Sequence, residues 1–267
     1  MRDFYFFRRR IWYNYMTMKP LFSCVVPVKG ARPFMDEALA SLYAQEMGSE
    51  LEIIVQDGDV ESDTGLSDAL NRGFAKAHGE WFFWLNADDV LLPGALEAVK
   101  SVIRDGVDWV VGNDVFIDGN GKVIRCAWDR GWKCCCWRLP VQVYGPSSFF
   151  RRALFERSGG FDCELKYAMD VDLWCRFRKD GYWFVKIPRY LWCFRVHEAS
   201  ATHARVGGAW SVAHAEENLR LCRRNGFVES RVCKSFARIV RLLNGSYFRA
   251  VIDTLRWRGK GWGAICA

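Results

Sequence analysis

Long hydrophobic runs are missing from this sequence: none reaches the roughly 18 to 20 residues that a membrane-spanning helix requires. The first residues, Met1–Lys19, include Arg8, Arg9 and Arg10 but neither an apolar core nor a small-residue cleavage site. A secretory signal is therefore not predicted, and we expect the chain to work in the cytoplasm.

Two signatures of nucleotide-binding loops are also absent. No G-x-G-x-x-G follows the first predicted strand, and G-x-x-x-x-G-K does not occur. Because these glycine-rich loops hold phosphates in dinucleotide-binding and P-loop proteins, both classes are disfavoured. The chain has 11 cysteines but no C-x-x-C pair. A zinc or redox site is therefore not predicted, and we interpret the cluster Cys134–Cys136 as buried, reduced thiols.

The composition is that of a globular protein with an uneven charge. The chain has 267 residues, of which 51% are hydrophobic and 26% charged, so a single domain with an appendage is expected. The net charge is +7, and residues 220–260 contain 11 Lys and Arg against two acids, Glu229 and Asp253. The partner of this region is predicted to be anionic. A nucleic-acid-binding protein is one alternative, but no RNA- or DNA-binding motif supports it.

The stretch that organises the chain is Trp81–Leu85, an unbroken apolar and aromatic run of strand length. Such a run is typical of a central strand that is covered on both faces. Asn86, Asp88 and Asp89 follow at once, and Pro93 is predicted to open the next helix. The carboxylates then lie at the carboxyl end of the strand, where open α/β sheets bind ligands.

The chemistry of this loop suits a hard divalent cation. Two adjacent carboxylates, Asp88 and Asp89, with the amide oxygen of Asn86 would leave coordination positions open for phosphate oxygens. The alternative is that Asp88 or Asp89 caps the following helix.

Strands and helices alternate through the first half of the chain. Leu21–Val26 and Leu51–Val55 are predicted strands, and Leu66–His78 is a predicted helix. This alternation favours right-handed crossovers and a parallel sheet, with Asp57 also at a strand's carboxyl end. A hairpin turn at Asp118–Gly121 makes the sheet mixed. We therefore expect an α/β fold of Rossmann type, with a mixed, mainly parallel sheet flanked by helices and a C-terminal helical extension.

A second acidic position follows in the other half. Val171, Trp174 and Arg178 recur at helical spacing, which places Asp170 at the start of a helix. The alternative is structural: Asp170 is the N-cap and Asp172 a favourable acid of the first turn.

Short segments with a specific order and spacing run from about Phe22 to Ser200. They are Cys24–Val28, Ile54–Gly58, Asp68–Gly73 with Ala77–Glu80, Leu85–Asp89, Gly159–Asp162, Met169–Trp174 and Arg195–His197. In these segments the chain resembles the family 2 glycosyltransferases, inverting enzymes with the nucleotide-sugar-binding fold called GT-A.

The resemblance implies a donor-binding site. Asp57 matches the acid that hydrogen-bonds the base of the donor, and the turn formed by Pro27, Val28 and Lys29 matches its neighbour in that pocket. Arg72 is a further candidate, for a phosphate, although a solvated helix position explains it equally well.

The resemblance also implies a metal site and a general base. Asp88 and Asp89 match the metal motif, with Asp89 favoured as the direct ligand and Asp88 nearer the ribose or the metal; Asn86 and Ala87 belong to the same donor-binding loop. The cation is expected to be Mn or Mg. His197 is either a further metal ligand, a donor to the diphosphate, or a structural residue.

Asp170 matches the general base of the family. Two residues depart from the pattern. Gln56 replaces the usual acid before Asp57, which leaves the identity of the base open, and Asn86 stands where some members have a first Asp. The metal site then has two carboxylates.

The expected function is inverting transfer of a sugar from a nucleoside-diphosphate sugar to a hydroxyl acceptor, a glycan or a lipid-linked glycan, in cell-surface glycan synthesis. One alternative is a catalytically inactive assembly partner that binds nucleotide sugars, against which the intact acids argue. We expect a basic, aromatic segment at 1–20, a GT-A-like domain at 21–205 and a basic helical region at 206–267, with no nucleic-acid partner.

Family members of bacterial type commonly act at the cytoplasmic face of the membrane, so the enzyme is expected there as a peripheral protein. A predicted C-terminal helix supports an anionic membrane surface as partner, because it is basic on one face and apolar on the other. The basic residues are Arg231, Lys234, Arg238 and Arg241, and the apolar ones are Val232, Phe236, Ile239 and Leu243. The alternative is that the apolar face packs on the catalytic domain.

Overall fold

The structure is a computed structural model that describes residues 19–30, 32–128, 143, 145–198, 212–226, 235, 239 and 242–266. Three of the sequence-based predictions concern residues outside these ranges. They are the basic, aromatic segment up to residue 18, the cluster Cys134–Cys136, and all four basic positions of the predicted amphipathic helix.

The strands form one mixed sheet in the order β2-β1-β3-β7-β5-β8-β4, with β6 paired to β5. Their bounds are β1 (Phe22–Val28), β2 (Leu51–Asp57), β3 (Trp81–Trp84), β4 (Val90–Leu91), β5 (Trp109–Asp118), β6 (Val123–Ala127), β7 (Ser148–Arg151) and β8 (Val185–Val196). The pairs β1–β2, β1–β3 and β5–β8 are parallel, and the other described pairs are antiparallel. The mixed α/β sheet that the sequence predicts is confirmed, with β7 inserted between β3 and β5.

Most of the α-helices lie against this sheet. In the described part of the chain the helices are α1 (Met35–Tyr43), α2 (Leu66–Lys76), α3 (Ala95–Lys100), α4 (Arg152–Arg157), α5 (Met169–Lys179), α6 (Val212–Arg224) and α7 (Ser246–Trp257). None of the described helices is long and apolar enough to cross a lipid bilayer.

The position of the aromatic strand β3, between two cores, explains why its sequence shows no polar alternation. Successive side chains of a strand point to opposite faces of the sheet. Trp81 and Phe83 enter the core on one face, whereas Phe82 and Trp84 enter the core on the other. Because helices cover both faces, every position of β3 is buried.

The parallel register brings three strand ends to one edge of the sheet. In β1, Val28 lies opposite Asp57 of β2, and Val25 lies opposite Trp84 of β3. Chain segments that leave these strands therefore emerge side by side. This arrangement positions both Asp57 and the acidic loop after β3.

Two local predictions need correction. The helix after the acidic loop begins at Ala95 rather than Pro93, and its N-cap is Gly94, which has a left-handed backbone with φ 71°. Asp88 and Asp89 therefore do not cap it. Between the loop and the helix lies the short strand β4, which pairs with β8 and carries the chain back across the sheet.

Candidate active site

Asp89 is the buried member of the acidic loop. It is only 1% exposed. Its Oδ1 accepts the backbone N–H of Arg195 at 2.9 Å, and its Oδ2 accepts the side-chain amide of Asn86 at 2.7 Å. Burial and the neighbouring charge of Asp88 raise the pKa of Asp89 well above its ordinary value. Asn86 thus holds Asp89, and Asp89 ties the loop to the end of β8.

Asp88 is the accessible carboxylate of the loop, and His197 lies against it. Asp88 Oδ2 is 3.0 Å from His197 Nε2, and the two side chains are 29% and 18% exposed. The ring of Phe34 packs beside the imidazole, with centroids 5.0 Å apart. The structure therefore brings together two of the three residues predicted to bind the metal, with atoms open to solvent.

This pair fits a divalent cation by its chemistry. A carboxylate oxygen and an imidazole nitrogen are both ligands of Mn²⁺, and a cation between them would leave positions for a diphosphate. Within the described residues, no group of three His, Cys, Asp or Glu side chains is gathered to hold a metal alone. Asp88 and His197 are thus the side chains that would hold it, with Asp89 behind them.

Arg195, named from the sequence only within the segment Arg195–His197, has a role that was not predicted. Its guanidinium is buried, with the side chain 1% exposed. It donates from Nε to the carbonyl oxygen of Asp88 at 2.8 Å and from Nη2 to Glu37 Oε2 at 2.5 Å. It also lies over the ring of Phe34, 4.4 Å from the centroid. Its place two residues before His197 at a strand end was the signal available in the sequence.

Glu37 connects this arginine to the C-terminal end of the described chain. Its Oε1 accepts the indole N–H of Trp262 at 2.8 Å. The Trp262 backbone N–H donates to the carbonyl oxygen of Gly121, at the tip of the β5–β6 hairpin. Residues from α1, β8, the hairpin and the C-terminal segment therefore converge behind the Asp88 loop.

The predicted base pocket lies at the ends of β1 and β2. A cavity of about 270 Å³ is lined by Pro27, Val28 and Lys29, together with residues of the segment 63–66 and Ala69. Beside this turn, Asp57 Oδ1 accepts a hydrogen bond from the Arg32 guanidinium at 2.8 Å. The three turn residues are thus brought to a cavity, and Asp57 carries a cationic neighbour.

The other two residues predicted to contact the donor, Arg72 and Ala87, interact with other parts of the protein. Arg72 makes an i,i+4 ion pair with Asp68 on the surface of α2 at 3.1 Å. Ala87, which belongs to the acidic loop, is partly buried and packs against the hydrophobic core.

Asp170 lies in the first turn of α5, and it is not the N-cap, which is Ala168. Its Oδ1 accepts the backbone N–H of Val171 at 2.8 Å. Burial raises the pKa of the Asp170 carboxyl to about 6, against the opposing effect of N–H groups that include that of Gly145. A carboxylate with such a pKa is suited to accept a proton near neutral pH.

Gly145 approaches this site closely because it has no side chain. A Cβ there would lie 2.0 Å from Trp84 Cζ2 in the central strand. The segment that donates to Asp170 therefore packs directly on the end of β3. Asp172, the other acid of this turn, is buried and pairs with Arg176 at 2.8 Å.

Comparison with known proteins agrees with this geometry. The family model described as glycosyl transferase family 2 matches residues 59–159. An uncharacterised glycosyltransferase of Rickettsia typhi is 27% identical over 219 residues, which cover 71% of this chain and 68% of that protein. A PGL/p-HBAD biosynthesis glycosyltransferase of Mycobacterium bovis is 24% identical over 179 residues, covering 57% and 68%.

Solved structures share the fold. S. aureus TarS 1-349 in complex with UDP-GlcNAc superposes with a TM-score of 0.58 at 17% identity, over 80% of this chain and 74% of that chain. The mannosyltransferase PcManGT from Pyrobaculum calidifontis, in complex with GDP-Man and Mn²⁺, gives 0.55 at 21% identity, over 81% and 71%. The fold is that of the GT-A glycosyltransferases. The family model, the relatives named as glycosyltransferases and the shared fold together support a glycosyltransferase of family 2.

The contact between Glu37 and Arg195 leads to a prediction about stability. Glu37→Gln removes the carboxylate that the buried guanidinium contacts, so the free energy of unfolding should fall by about 1–3 kcal/mol. Urea denaturation followed by tryptophan fluorescence measures this. Asp36→Asn, at the exposed neighbouring position of α1, is the control and should stay within about 0.5 kcal/mol of the unaltered protein. Equal stability of the two variants would contradict a stabilising role for the ion pair.

Proposed function

We propose that the enzyme transfers a sugar from a nucleoside-diphosphate sugar to a hydroxyl group with inversion at the anomeric carbon. The observation that carries this proposal is Asp170: a carboxylate with a pKa of about 6 in the first turn of α5, separate in the chain from the acidic loop. A direct displacement needs one base, and Asp170 supplies it.

Asp170 would accept the proton of the acceptor hydroxyl as that oxygen attacks the anomeric carbon. The backbone N–H groups of Val171 and Gly145 orient the carboxylate. At the other end of the site, Asp88 and His197 would hold a divalent cation, which stabilises negative charge on the departing diphosphate when it is bound. Asp89, Asn86 and Arg195 would keep the Asp88 loop in place.

The donor is proposed to bind along the edge where β1, β2 and β3 end. Pro27, Val28 and Lys29 line the cavity for the base, with Asp57 beside them. TarS and PcManGT were solved with UDP-GlcNAc and with GDP-Man and Mn²⁺, which supports a nucleotide sugar and a divalent cation for this chain as well.

The test is release of nucleoside diphosphate from a panel that includes UDP-GlcNAc and GDP-mannose, with added Mn²⁺ and with chelator. We expect turnover of at least one donor and its loss in chelator. Asp88→Asn should weaken binding of Mn²⁺ measured by titration in the presence of UDP or GDP. Full turnover in chelator would contradict the metal site without contradicting sugar transfer.

The role of Asp170 gives a prediction in two parts. Asp170→Asn should lower kcat by about 10² to 10⁴, because the amide cannot accept the proton. In the unaltered enzyme kcat/KM should fall about tenfold per pH unit below pH 6, since protonation of Asp170 in the free enzyme, with its pKa of about 6, removes the base. Asp180→Asn, an exposed acid that caps the other end of α5, is the control. Near-normal turnover by a folded Asp170→Asn enzyme would exclude the assignment.

We propose further that the acceptor is a glycan or lipid-linked glycan and that the enzyme works at the cytoplasmic face of an anionic membrane. In the predicted amphipathic helix, the described positions Ile239 and Leu243 are exposed. The helix α7 gives additional support through an exposed apolar face made of Tyr247, Phe248, Val251, Ile252 and Leu255. Its acid Asp253 is buried and paired with Arg249, while Arg256, Arg258 and Lys260 are exposed.

Vesicle flotation tests this surface. The protein should float with vesicles containing anionic lipid at low salt and be released as salt is raised. Val251→Asp with Leu255→Asp should reduce binding at least about tenfold, because each side chain loses its burial in the interface. Val212→Asp, an exposed apolar position on α6, serves as the control. Flotation that the double substitution leaves unchanged would exclude this face of α7.

A further inference from the structure

Glu217 of α6 makes a set of buried contacts to which the proposed reaction assigns no role. Its side chain is buried, with the residue 4% exposed. Its carboxylate accepts three consecutive backbone N–H groups: that of Lys166 at 3.0 Å, that of Tyr167 at 2.7 Å and that of Ala168 at 2.6 Å. One side chain therefore holds three successive residues of a loop in a single conformation.

The three residues that Glu217 contacts lie at the start of α5. Ala168 is the N-cap of α5, and its carbonyl oxygen accepts the N–H of Asp172 at 3.0 Å, within the first turn. The N-terminal end of a helix carries partial positive charge. The carboxylate of Glu217 lies at this end, and the three N–H donors compensate its burial. Asp170 lies two residues after Ala168, so the contacts of Glu217 hold the turn that carries the proposed base.

The same loop is fixed at two further points. Ser67 Oγ of α2 lies 3.2 Å from the carbonyl oxygen of Leu165 and 3.0 Å from Met169 Sδ. About two turns beyond Glu217, Arg224 of α6 pairs with Asp162 at 3.0 Å, at a more exposed position. Among these contacts, Glu217 is the one that supplies a buried charge directly at the start of α5.

We propose that Glu217 is a positioning residue for the general base: it fixes residues 166–168 and thereby holds the first turn of α5, with Asp170, in the geometry needed to receive the acceptor's proton. This inference rests on the proposed role of Asp170. Glu217 lies outside residues 59–159, which the family model matches, so the C-terminal part of the chain completes the catalytic half of the site.

The experiment compares Glu217→Gln with Glu216→Gln, an exposed carboxylate on the adjacent position of the same helix. Glu217→Gln keeps one acceptor oxygen but places an amide N–H₂ against backbone N–H groups. We expect kcat to fall on the order of ten- to a hundredfold, since a small misplacement of a catalytic group has effects of this size. The KM for whichever of UDP-GlcNAc or GDP-mannose is used should stay within about twofold, as should binding of UDP or GDP with Mn²⁺. Glu216→Gln should behave as the unaltered enzyme.

Amide hydrogen exchange provides a readout that does not depend on activity. In the unaltered protein the N–H groups of residues 166–168 should be protected, and in Glu217→Gln they should exchange faster while the strands β1 and β3 keep their protection. This measurement separates the inference from the proposed function, because it tests whether Glu217 holds residues 166–168 even when no donor is turned over. When Glu217→Gln does not fold, the unaltered protein still tests the inference, since rapid exchange of residues 166–168 would overturn it.

Three results would overturn the inference. One is a folded Glu217→Gln enzyme with the kcat of the unaltered protein. Another is a loss of kcat matched by an equal loss of UDP or GDP binding or of protection throughout the sheet, which would make Glu217 a general structural residue. The third is exchange of residues 166–168 in the unaltered protein at the rate of an unprotected peptide.

Discussion

The pairing of the buried Arg195 guanidinium with its neighbours is the interaction on which the geometry of the acidic loop depends. A buried cation is costly unless it is paired and hydrogen-bonded. Here Glu37 supplies a carboxylate, the carbonyl oxygen of Asp88 accepts from Nε, and Phe34 offers the face of its ring. Because Glu37 and Phe34 belong to the start of α1 and Asp88 belongs to the acidic loop, satisfying this one charge fixes α1, the acidic loop and the end of β8 relative to one another.

The two acids of the loop, Asp88 and Asp89, differ in burial and therefore in what they contact. Asp89 is enclosed and has both oxygens occupied by the N–H of Arg195 and the amide of Asn86, so it acts as an anchor. Asp88 is partly exposed and lies against His197, so it is the group proposed to face a diphosphate and its cation. Adjacent acids in one loop thus differ in environment because the chain turns inward at one and outward at the other. The prediction that Asp89 itself is a direct ligand remains to be tested.

Strand β3 supports both parts of the candidate site, the acidic loop and the segment next to Asp170. β3 sends Trp81 and Phe83 into one core and Phe82 and Trp84 into the other, and its carboxyl end carries the acidic loop. Trp84 also receives Gly145, whose N–H donates to Asp170. The rigid, doubly covered strand thereby supports both the loop proposed to hold the diphosphate and the segment next to the proposed base.

The sequence by itself determined those features that depend on local pattern. The unbroken run Trp81–Leu85, the hairpin turn at Asp118–Gly121 and a helix with Asp170 near its start were predictable, because side-chain periodicity and turn residues report which faces are buried. Pro27, Val28 and Lys29 were predicted to be pocket residues from the resemblance to family 2 glycosyltransferases, and in the structure they line a cavity.

Tertiary structure alone decided the contacts between distant residues. Glu37 and Arg195 are 158 positions apart, and Trp262 is 225 positions from Glu37, so no local pattern could pair them. The same holds for Glu217 and residues 166–168, and for β7 inserting between β3 and β5. Burial patterns specify that a side chain is inside, but the partner of a buried charge is chosen by which elements the fold brings to the same place.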